Sequence, residues 1–228
     1  MTTTPTIIGD SPKPSTLQLE VHNYFVTPIY AIQRPEFLDP VRKVVDRVMG
    51  PTDRKQLHQL YPMRTSPSLT GESEIQDFID FIGSSAAQIL ASQGVDMTLY
   101  SVAYHEMWCQ EHHRHSAMDY HAHSHGSQIV GFYFLDVPKD SGGLCFHDPR
   151  AGKQQTTLKE VNPAIPTISS NMINIDAREG LMIFTNSWLP HSVGRHGGSK
   201  PLRFIHFNLG VTSHKTSTPP PTGQATVI

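Results

Sequence analysis

Three histidines at alternate positions offer the clearest chemistry in this sequence. They are His121, His123 and His125 in the segment MDYHAHSHG, and Asp119 continues the spacing upstream. Residues i and i+2 of an extended strand point to the same side, so His121 and His123 can present two imidazoles to one point. Because imidazole is a common ligand of divalent transition metals, the spacing indicates a metal site. A glycine follows His125, and the chain is expected to turn there.

A metal site needs at least one further ligand, and the best candidate is His191 in EGLMIFTNSWLPHSV. A buried strand is predicted to run into Trp188-Leu189-Pro190 and to deliver this histidine before the chain turns again. An HxH pair with a distant third histidine can hold a transition metal in a β-barrel and leave positions open for substrate and dioxygen. We therefore predict that His121, His123 and His191 bind one metal ion.

The remaining histidines need a different interpretation. Seven of the 14 histidines lie between His105 and His125. A lone histidine is more often a surface or hydrogen-bonded residue than a metal ligand, so we expect that ordinary role for seven of them: His105, His112, His113, His115, His147, His196 and His206.

Arg203 opens LRFIHFNLG, which reads as the last strand of the sheet. By alternation Arg203 shares a side with Ile205 and Phe207, so a core-facing apolar side would bury its guanidinium. A buried arginine needs an anion, and its planar fork suits a carboxylate. A dicarboxylic co-substrate could supply that carboxylate, and the alternative is an internal partner such as Asp176 or Glu179.

The elements that position these residues change character along the chain. LEVHNYFVTPIYAIQ reads as a β segment, and two helices are expected in EFLDPVRKVVDRVMG and, after a Ser73 cap, in SEIQDFIDFIGSSAAQILASQG. From about Met97 onward, short β-branched and aromatic runs alternate with turn residues, which is typical of a sandwich or barrel. The runs are TLYSVAYHEMW, SQIVGFYFLDV, GGLCFHD, NMINIDA, GLMIFTN, HSVGRH and LRFIHFNLGV.

Length and composition limit the remaining possibilities. The 228 residues suit one domain, predicted at 17–213 between flexible tails at 1–16 and 214–228. The net charge of −2 and the lack of a basic run argue against nucleic acid and membrane partners. No signal peptide or spanning segment is evident, so a cytoplasmic protein is expected, with Cys109 and Cys145 as reduced thiols. An edge strand could pair across a homodimer.

Several ordered motifs together resemble one known family. The motifs are, in chain order, HAHSHGSQIVGFYFLDVPKDSGGLCFHDPR, EGLMIFTNSWLPHSV and RFIHFNLG. They resemble those of the 2-oxoglutarate/Fe(II) oxygenases found in marine bacteria and in cyanophages. The resemblance covers roughly residues 107–211. It implies a double-stranded β-helix, or jelly-roll, that uses Fe(II), 2-oxoglutarate and O2 to hydroxylate a substrate with release of succinate and CO2. A phage-encoded member would act in the host cytoplasm.

The resemblance also implies roles for particular residues. Fe(II) would lie on His121, His123 and His191, and Arg203 would hold the distal carboxylate of 2-oxoglutarate. The neighbours Asn186, Ser187 and Trp188 would orient His191 or line the pocket, and Trp108 and Gln110 would face the same cavity; Trp108 could equally pack in the core.

Three alternatives remain open at this point, one for the ligand set and two for the function. The wider superfamily has Asp or Glu where His123 stands, so Asp119 could supply the carboxylate together with His121 and His191. The motif also fits a cupin-like metal protein or dioxygenase without 2-oxoglutarate, although Gln128 stands where many cupins have a glutamate ligand. A jelly-roll that only binds stray metal is the third reading. The substrate, a small molecule or a protein, has no readable signature.

Overall fold

A computed structural model of the protein describes residues 20–123, 126–155 and 158–214. The predicted N-terminal tail, 1–16, lies outside this range, as do His125 and all of the predicted C-terminal tail except His214. None of the described helices has the length and apolar character that a bilayer-spanning helix needs.

Two antiparallel sheets contain the ten strands of the described structure. The larger sheet has the strand order β1-β8-β5-β10-β3-β2, and the smaller has the order β4-β9-β6-β7. The strands are β1 (Ile29–Gln33), β2 (Met63–Thr65), β3 (Tyr100–His112), β4 (Met118–His121), β5 (Ser127–Asp136), β6 (Leu144–His147), β7 (Met172–Ile175), β8 (Leu181–Asn186), β9 (His191–Val193) and β10 (Leu202–Ser213).

All seven late β-runs of the sequence form strands, because each combines β-branched and aromatic residues with turn residues at its ends. The expectation of a mainly β protein with flanking helices is confirmed. The two sheets pack face to face, but they do not close into a barrel, so that part of the prediction is wrong. The short strands β2 and β4 are not among the strands predicted from the sequence.

Both expected long helices are present as α1 (Leu38–Met49) and α2 (Gln76–Ser92), and a short α3 (Ala151–Gln155) was not predicted. Gly50 ends α1 with φ of 59°, a conformation that glycine adopts without steric cost. The predicted Ser73 cap is wrong. A 3-10 turn at Ser73–Ile75 precedes α2, and no side chain caps the helix, so Ser73 lies a turn too early.

The larger sheet separates two apolar cores. On one face, α1 and α2 cover a core that includes Val44, Phe78, Ile205 and Phe207. On the other face, the larger sheet packs against the smaller one through residues such as Phe132 and Phe204. We call these the helix face and the inter-sheet face. Residues of β10 alternate between them, since successive side chains of a strand point to opposite sides.

Candidate metal centre

The structure brings His121, His123 and His191 together. One potential ligand atom from each imidazole lies within 4.8 Å of those from the other two, and the ring centroids are 4.4 to 5.2 Å apart. His121 and His191 are direct cross-strand partners on β4 and β9. The three residues predicted as metal ligands therefore converge, although they come from separate parts of the chain.

His123 reaches the cluster differently from the prediction. Strand β4 ends at His121, so His123 lies past the strand end rather than two positions along it. Its backbone N–H donates to the carbonyl oxygen of Ser187 over 2.9 Å, which ties it to the turn that follows β8. A backbone hydrogen bond thus holds His123 next to the segment that carries His191.

Backbone carbonyls fix the orientation of two of the imidazoles. His121 Nδ1 lies 2.8 Å from the carbonyl oxygen of Asp119, and His191 Nδ1 lies 3.0 Å from that of Leu189. A carbonyl can only accept, so Nδ1 carries the proton in both rings and Nε2 keeps its lone pair. His191 Nε2 is buried and has no hydrogen-bond partner among the described residues. A metal ion fits this orphaned atom, because metal-bound histidines commonly donate their other N–H to a carbonyl.

Burial keeps the imidazoles of His191 and His123 neutral. Desolvation is the main cause that lowers the pKa of His191 to about 3 and that of His123 to about 4, and the neighbouring histidines lower both further. Neutral imidazole is the form that binds a metal, so no proton has to leave these two rings at neutral pH.

A fourth imidazole, that of His206, lies beside that of His123. This residue is 2 % exposed, and its Nε2 is 3.1 Å from His123 Nε2. The prediction of an ordinary role for His206 missed this position. Alternation along β10 puts His206 on the face opposite to Arg203, but it does not say which of the two faces holds the site.

Most of the other histidines have ordinary partners, as expected. His105, His112 and His147 lie within hydrogen-bond distance of the hydroxyls of Ser127, Ser116 and Ser192. His113 contacts Glu111, and His196 contacts the carbonyl oxygen of Lys200. His115 contributes its main-chain groups to local hydrogen bonds.

The Asp119 side chain accepts a hydrogen bond from the Tyr61 hydroxyl over 3.2 Å. Only the Asp119 carbonyl oxygen contacts the triad, and the metal-ligand cluster found in the described residues consists of the three histidines. The arrangement therefore favours three imidazoles over the alternative set with Asp119.

A cavity of about 500 Å³ opens beside His121, His123 and His206. Trp108 and Gln110 also line it, as predicted. Apart from histidines, its only charged lining residue within the described part of the chain is Glu106. The volume suits a small ligand, since small-molecule sites typically span about 300–1,000 Å³.

Gln110 has a defined orientation in this cavity. Its Oε1 lies 3.0 Å from His112 Nε2, and His112 Nδ1 lies 3.0 Å from the Ser116 hydroxyl. An amide oxygen can only accept, so His112 Nε2–H is the donor and the Gln110 amide nitrogen remains available to a ligand.

Ser187 is 5 % exposed, and its hydroxyl donates to the carbonyl oxygen of Ser127. Its own carbonyl oxygen accepts from His123, so the contact of Ser187 with the site is to a ligand histidine. The neighbouring Asn186 side chain exchanges hydrogen bonds with Gln93, and Trp188 is 48 % exposed.

The structure corrects the position expected for Arg203. The side chain lies on the helix face with Ile205 and Phe207, whereas the histidines lie on the inter-sheet face. Its guanidinium donates to Asp136 and Asp46, each over 2.5 Å. The predicted burial of Arg203 with an anion is confirmed, but internal carboxylates supply the charge, and these are neither Asp176 nor Glu179. From this face Arg203 does not line the histidine cavity.

Comparison with known proteins agrees with this arrangement. The model of a family described as "Putative 2OG-Fe(II) oxygenase" matches residues 106–208, which include all three histidines of the triad. The match supports the 2OG-Fe(II) oxygenase family. A search of the curated proteins gives no match.

Solved structures share the fold at low sequence identity. The epimerase SnoN from nogalamycin biosynthesis aligns with a TM-score of 0.55 and 12 % identity over 89 % of each chain. A Pseudomonas putida prolyl-4-hydroxylase gives 0.53 and 10 % over 81 % of this chain and 93 % of that one. A 2OG-Fe(II) oxygenase family protein from Burkholderia pseudomallei gives 0.51 and 9 % over 80 % and 84 %. The predicted jelly-roll class is thereby confirmed.

Proposed function

We propose that this chain is an Fe(II)- and 2-oxoglutarate-dependent dioxygenase that hydroxylates a substrate and releases succinate and CO2. The observation that carries the proposal is the convergence of three imidazoles, of which His121 and His123 line a cavity and His191 has a buried Nε2 without a hydrogen-bond partner in the described part of the chain. The family match over the same residues supports iron and 2-oxoglutarate as the cofactor and co-substrate. One solved structure of SnoN holds Fe3+, alpha ketoglutarate and nogalamycin RO, which supports the same pairing.

His121, His123 and His191 would hold the iron, which when bound supplies the activation of O2 for substrate oxidation. The chain's own contribution is to hold three neutral donors in place. Asp119 and Leu189 fix two rings through their carbonyl oxygens, and Ser187 fixes the backbone of the third. Such outer contacts keep the donors aligned before the ion arrives.

Gln110 and Trp108 are the proposed contacts for 2-oxoglutarate. Both line the cavity, and the His112 contact leaves the Gln110 amide nitrogen free to donate to a carboxylate. Ser187 acts through His123 in this proposal, since its hydroxyl is already bonded to Ser127. We expect Gln110→Leu to raise the KM for 2-oxoglutarate by about tenfold, the loss of one hydrogen bond to a charged group.

The test is formation of succinate from 2-oxoglutarate in the presence of Fe(II) and O2. We expect the wild-type protein to turn over 2-oxoglutarate slowly even without its substrate, and His191→Ala to abolish that activity. An equal rate in wild type and His191→Ala would contradict the proposal.

One observation favours a second candidate, a cupin-like metal protein or dioxygenase that does not use 2-oxoglutarate. Neither lysine nor arginine lines the described walls of the cavity, so the cationic partner expected for the distal carboxylate is missing there. The two functions separate in an anaerobic titration. Addition of 2-oxoglutarate to the Fe(II)-loaded protein should produce a visible absorption band in the first case and no change in the second.

The finer assignments from the sequence remain part of the proposal. They are membership in the marine bacterial and cyanophage group, a cytoplasmic or host-cytoplasmic location, a small-molecule or protein substrate, and a homodimer. The strands at the sheet edges, β1, β2, β4 and β7, are the surfaces through which two copies would pair. Light scattering that gives the mass of a monomer at micromolar concentration would contradict the dimer.

A further inference from the structure

His206 shares the setting of the ligand histidines. It lies on the inter-sheet face of β10, lines the same cavity as His121 and His123, and is 2 % exposed. Its ring stacks on Phe132 with a centroid distance of 4.6 Å and an interplanar angle of 6°, and it packs against Trp108 at 4.8 Å. The imidazole is therefore fixed in one orientation before any ligand binds.

The protonation of His206 follows the same pattern as that of His121 and His191. His206 Nδ1 lies 2.9 Å from the carbonyl oxygen of Gly131, so Nδ1 carries the proton. With Nδ1 as the donor, Nε2 is the ring nitrogen that faces His123. All three rings thus donate Nδ1–H to a backbone carbonyl and leave Nε2 as an acceptor.

His206 lies outside the cluster of mutually close ligand atoms, and its ring centroid is 6.1 Å from that of His191, but the separation of His206 and His123 fits coordination. Their Nε2 atoms are 3.1 Å apart. Two nitrogens that are each about 2.1 Å from one ion and at right angles to each other lie about 3 Å apart. A hydrogen bond from a protonated His123 Nε2 would give a similar distance, but it would remove the lone pair that His123 Nε2 needs to bind a metal.

We propose that His206 is the fourth imidazole ligand of the metal centre in the protein without co-substrate. The proposal rests on the iron site of the proposed function and goes beyond it in the number and identity of the ligands. Four imidazoles would leave two positions on a six-coordinate ion. Because 2-oxoglutarate and dioxygen together need three positions, His206 is then a displaceable ligand.

The experiment loads wild-type protein, His206→Phe and His206→Gln anaerobically with Fe(II) alone. X-ray absorption spectroscopy counts the imidazoles on the iron, and calorimetry gives the iron affinity. His206→Phe keeps the aromatic packing on Phe132 and removes both nitrogens. His206→Gln keeps a neutral hydrogen-bond acceptor, so it would rescue a role that depends only on accepting a bond from His123.

The matched control is His112→Phe. His112 is also buried, on the same face of the sheet, and stacks on Phe204 at 5.4 Å as His206 stacks on Phe132. It contacts Gln110 and Ser116 rather than the triad. We expect this variant to keep the wild-type count of imidazoles and the wild-type iron affinity.

The expected result is four imidazoles in the wild type and three in both His206 variants, with an iron affinity at least about tenfold weaker in each. Three imidazoles on the wild-type iron would overturn the proposal and leave the proposed function standing. Restoration of wild-type affinity by His206→Gln would also overturn it, in favour of a hydrogen-bonding role. Absence of stoichiometric iron in the wild type would overturn the proposed function itself.

Discussion

The two faces of the larger sheet carry different kinds of polar group. On the helix face, Arg203 and Arg42 pair with Asp136, and Arg203 also pairs with Asp46, so that charges from β5 and β10 are joined to α1. On the inter-sheet face, the imidazoles of His121, His123 and His206 line a cavity. Both kinds of group occur on β10, where the ion-paired Arg203 and the imidazole of His206 are three residues apart.

This difference shows how a protein can separate stability from chemistry within one sheet. Paired charges on the helix face have their partners already, so they can join elements but have little capacity to bind a ligand. On the inter-sheet face, the buried lone pair of His191 Nε2 has no partner among the described residues, which leaves it ready for a metal ion. Loss of a helix-face charge should therefore affect folding, and loss of a histidine of the metal cluster should affect binding.

The largest effect is expected from His121→Ala. Removal of a ligand should weaken iron binding and lower succinate formation by more than about 100-fold, the upper end of losses seen for outer contacts of metal ligands. The control is His113→Ala, which removes a contact to Glu111 outside the metal cluster. Calorimetry with Fe(II) should show wild-type iron affinity in the control. Equal iron affinity in the two variants would contradict the assignment of iron binding to the histidines of the inter-sheet face.

A smaller effect is a loss of folding stability in acid, caused by the buried His112 on the inter-sheet face. Burial is the main cause that lowers the pKa of His112 to about 4, so the unfolded chain takes up a proton near pH 6.5 and the folded chain does not. Stability should therefore fall as the pH drops from about 6.5 towards 4. At pH 4.5, His112 should lower the free energy of unfolding by about 2 kcal/mol relative to neutral pH.

The measurement for His112 is urea unfolding of the metal-free protein at pH 7.5 and pH 4.5. His112→Gln should lose less stability between the two values than the wild type does. The same loss in both proteins would show that other buried histidines account for the acid sensitivity.

A comparable or slightly smaller effect is expected from Arg203→Met on the helix face. The substitution leaves Asp136 without one of its two arginines and should lower the free energy of unfolding by about 2 kcal/mol, less than a fully buried pair would lose. Binding of Fe(II) and 2-oxoglutarate should stay within about twofold of wild type. A loss of 2-oxoglutarate binding without a change in stability would return Arg203 to the role first predicted for it.

The smallest effect is expected from Asp46→Asn. Asp46 is 62 % exposed, so water already screens its pair with Arg203. The free energy of unfolding should fall by only about 0.5 kcal/mol, the usual value for an exposed ion pair. Thermal unfolding at low and high salt checks this, because the difference between variant and wild type should shrink as salt rises.

The elements with strong patterns were predictable from the sequence. Periodic apolar residues gave α1 and α2, β-branched runs gave seven strands, and the histidine spacing led to the triad. The errors have a common cause in the direction of side chains. Arg203 was correctly grouped with Ile205 and Phe207, but periodicity does not say which of two cores an apolar side faces. His206 was missed because its identity as a site residue depends on β5 and β3, which contact it from distant parts of the sequence.

The strand pairing with the fewest registered residues in the smaller sheet coincides with the proposed iron site. β4 and β9 are four and three residues long, and their register is irregular between Met118 and His121. An ion held by His121 and His191 would cross-link the two strands at their last paired position. Chelation should then loosen this corner before the rest of the molecule, with faster amide hydrogen exchange in both strands, so that iron supply would also control local order at the mouth of the cavity.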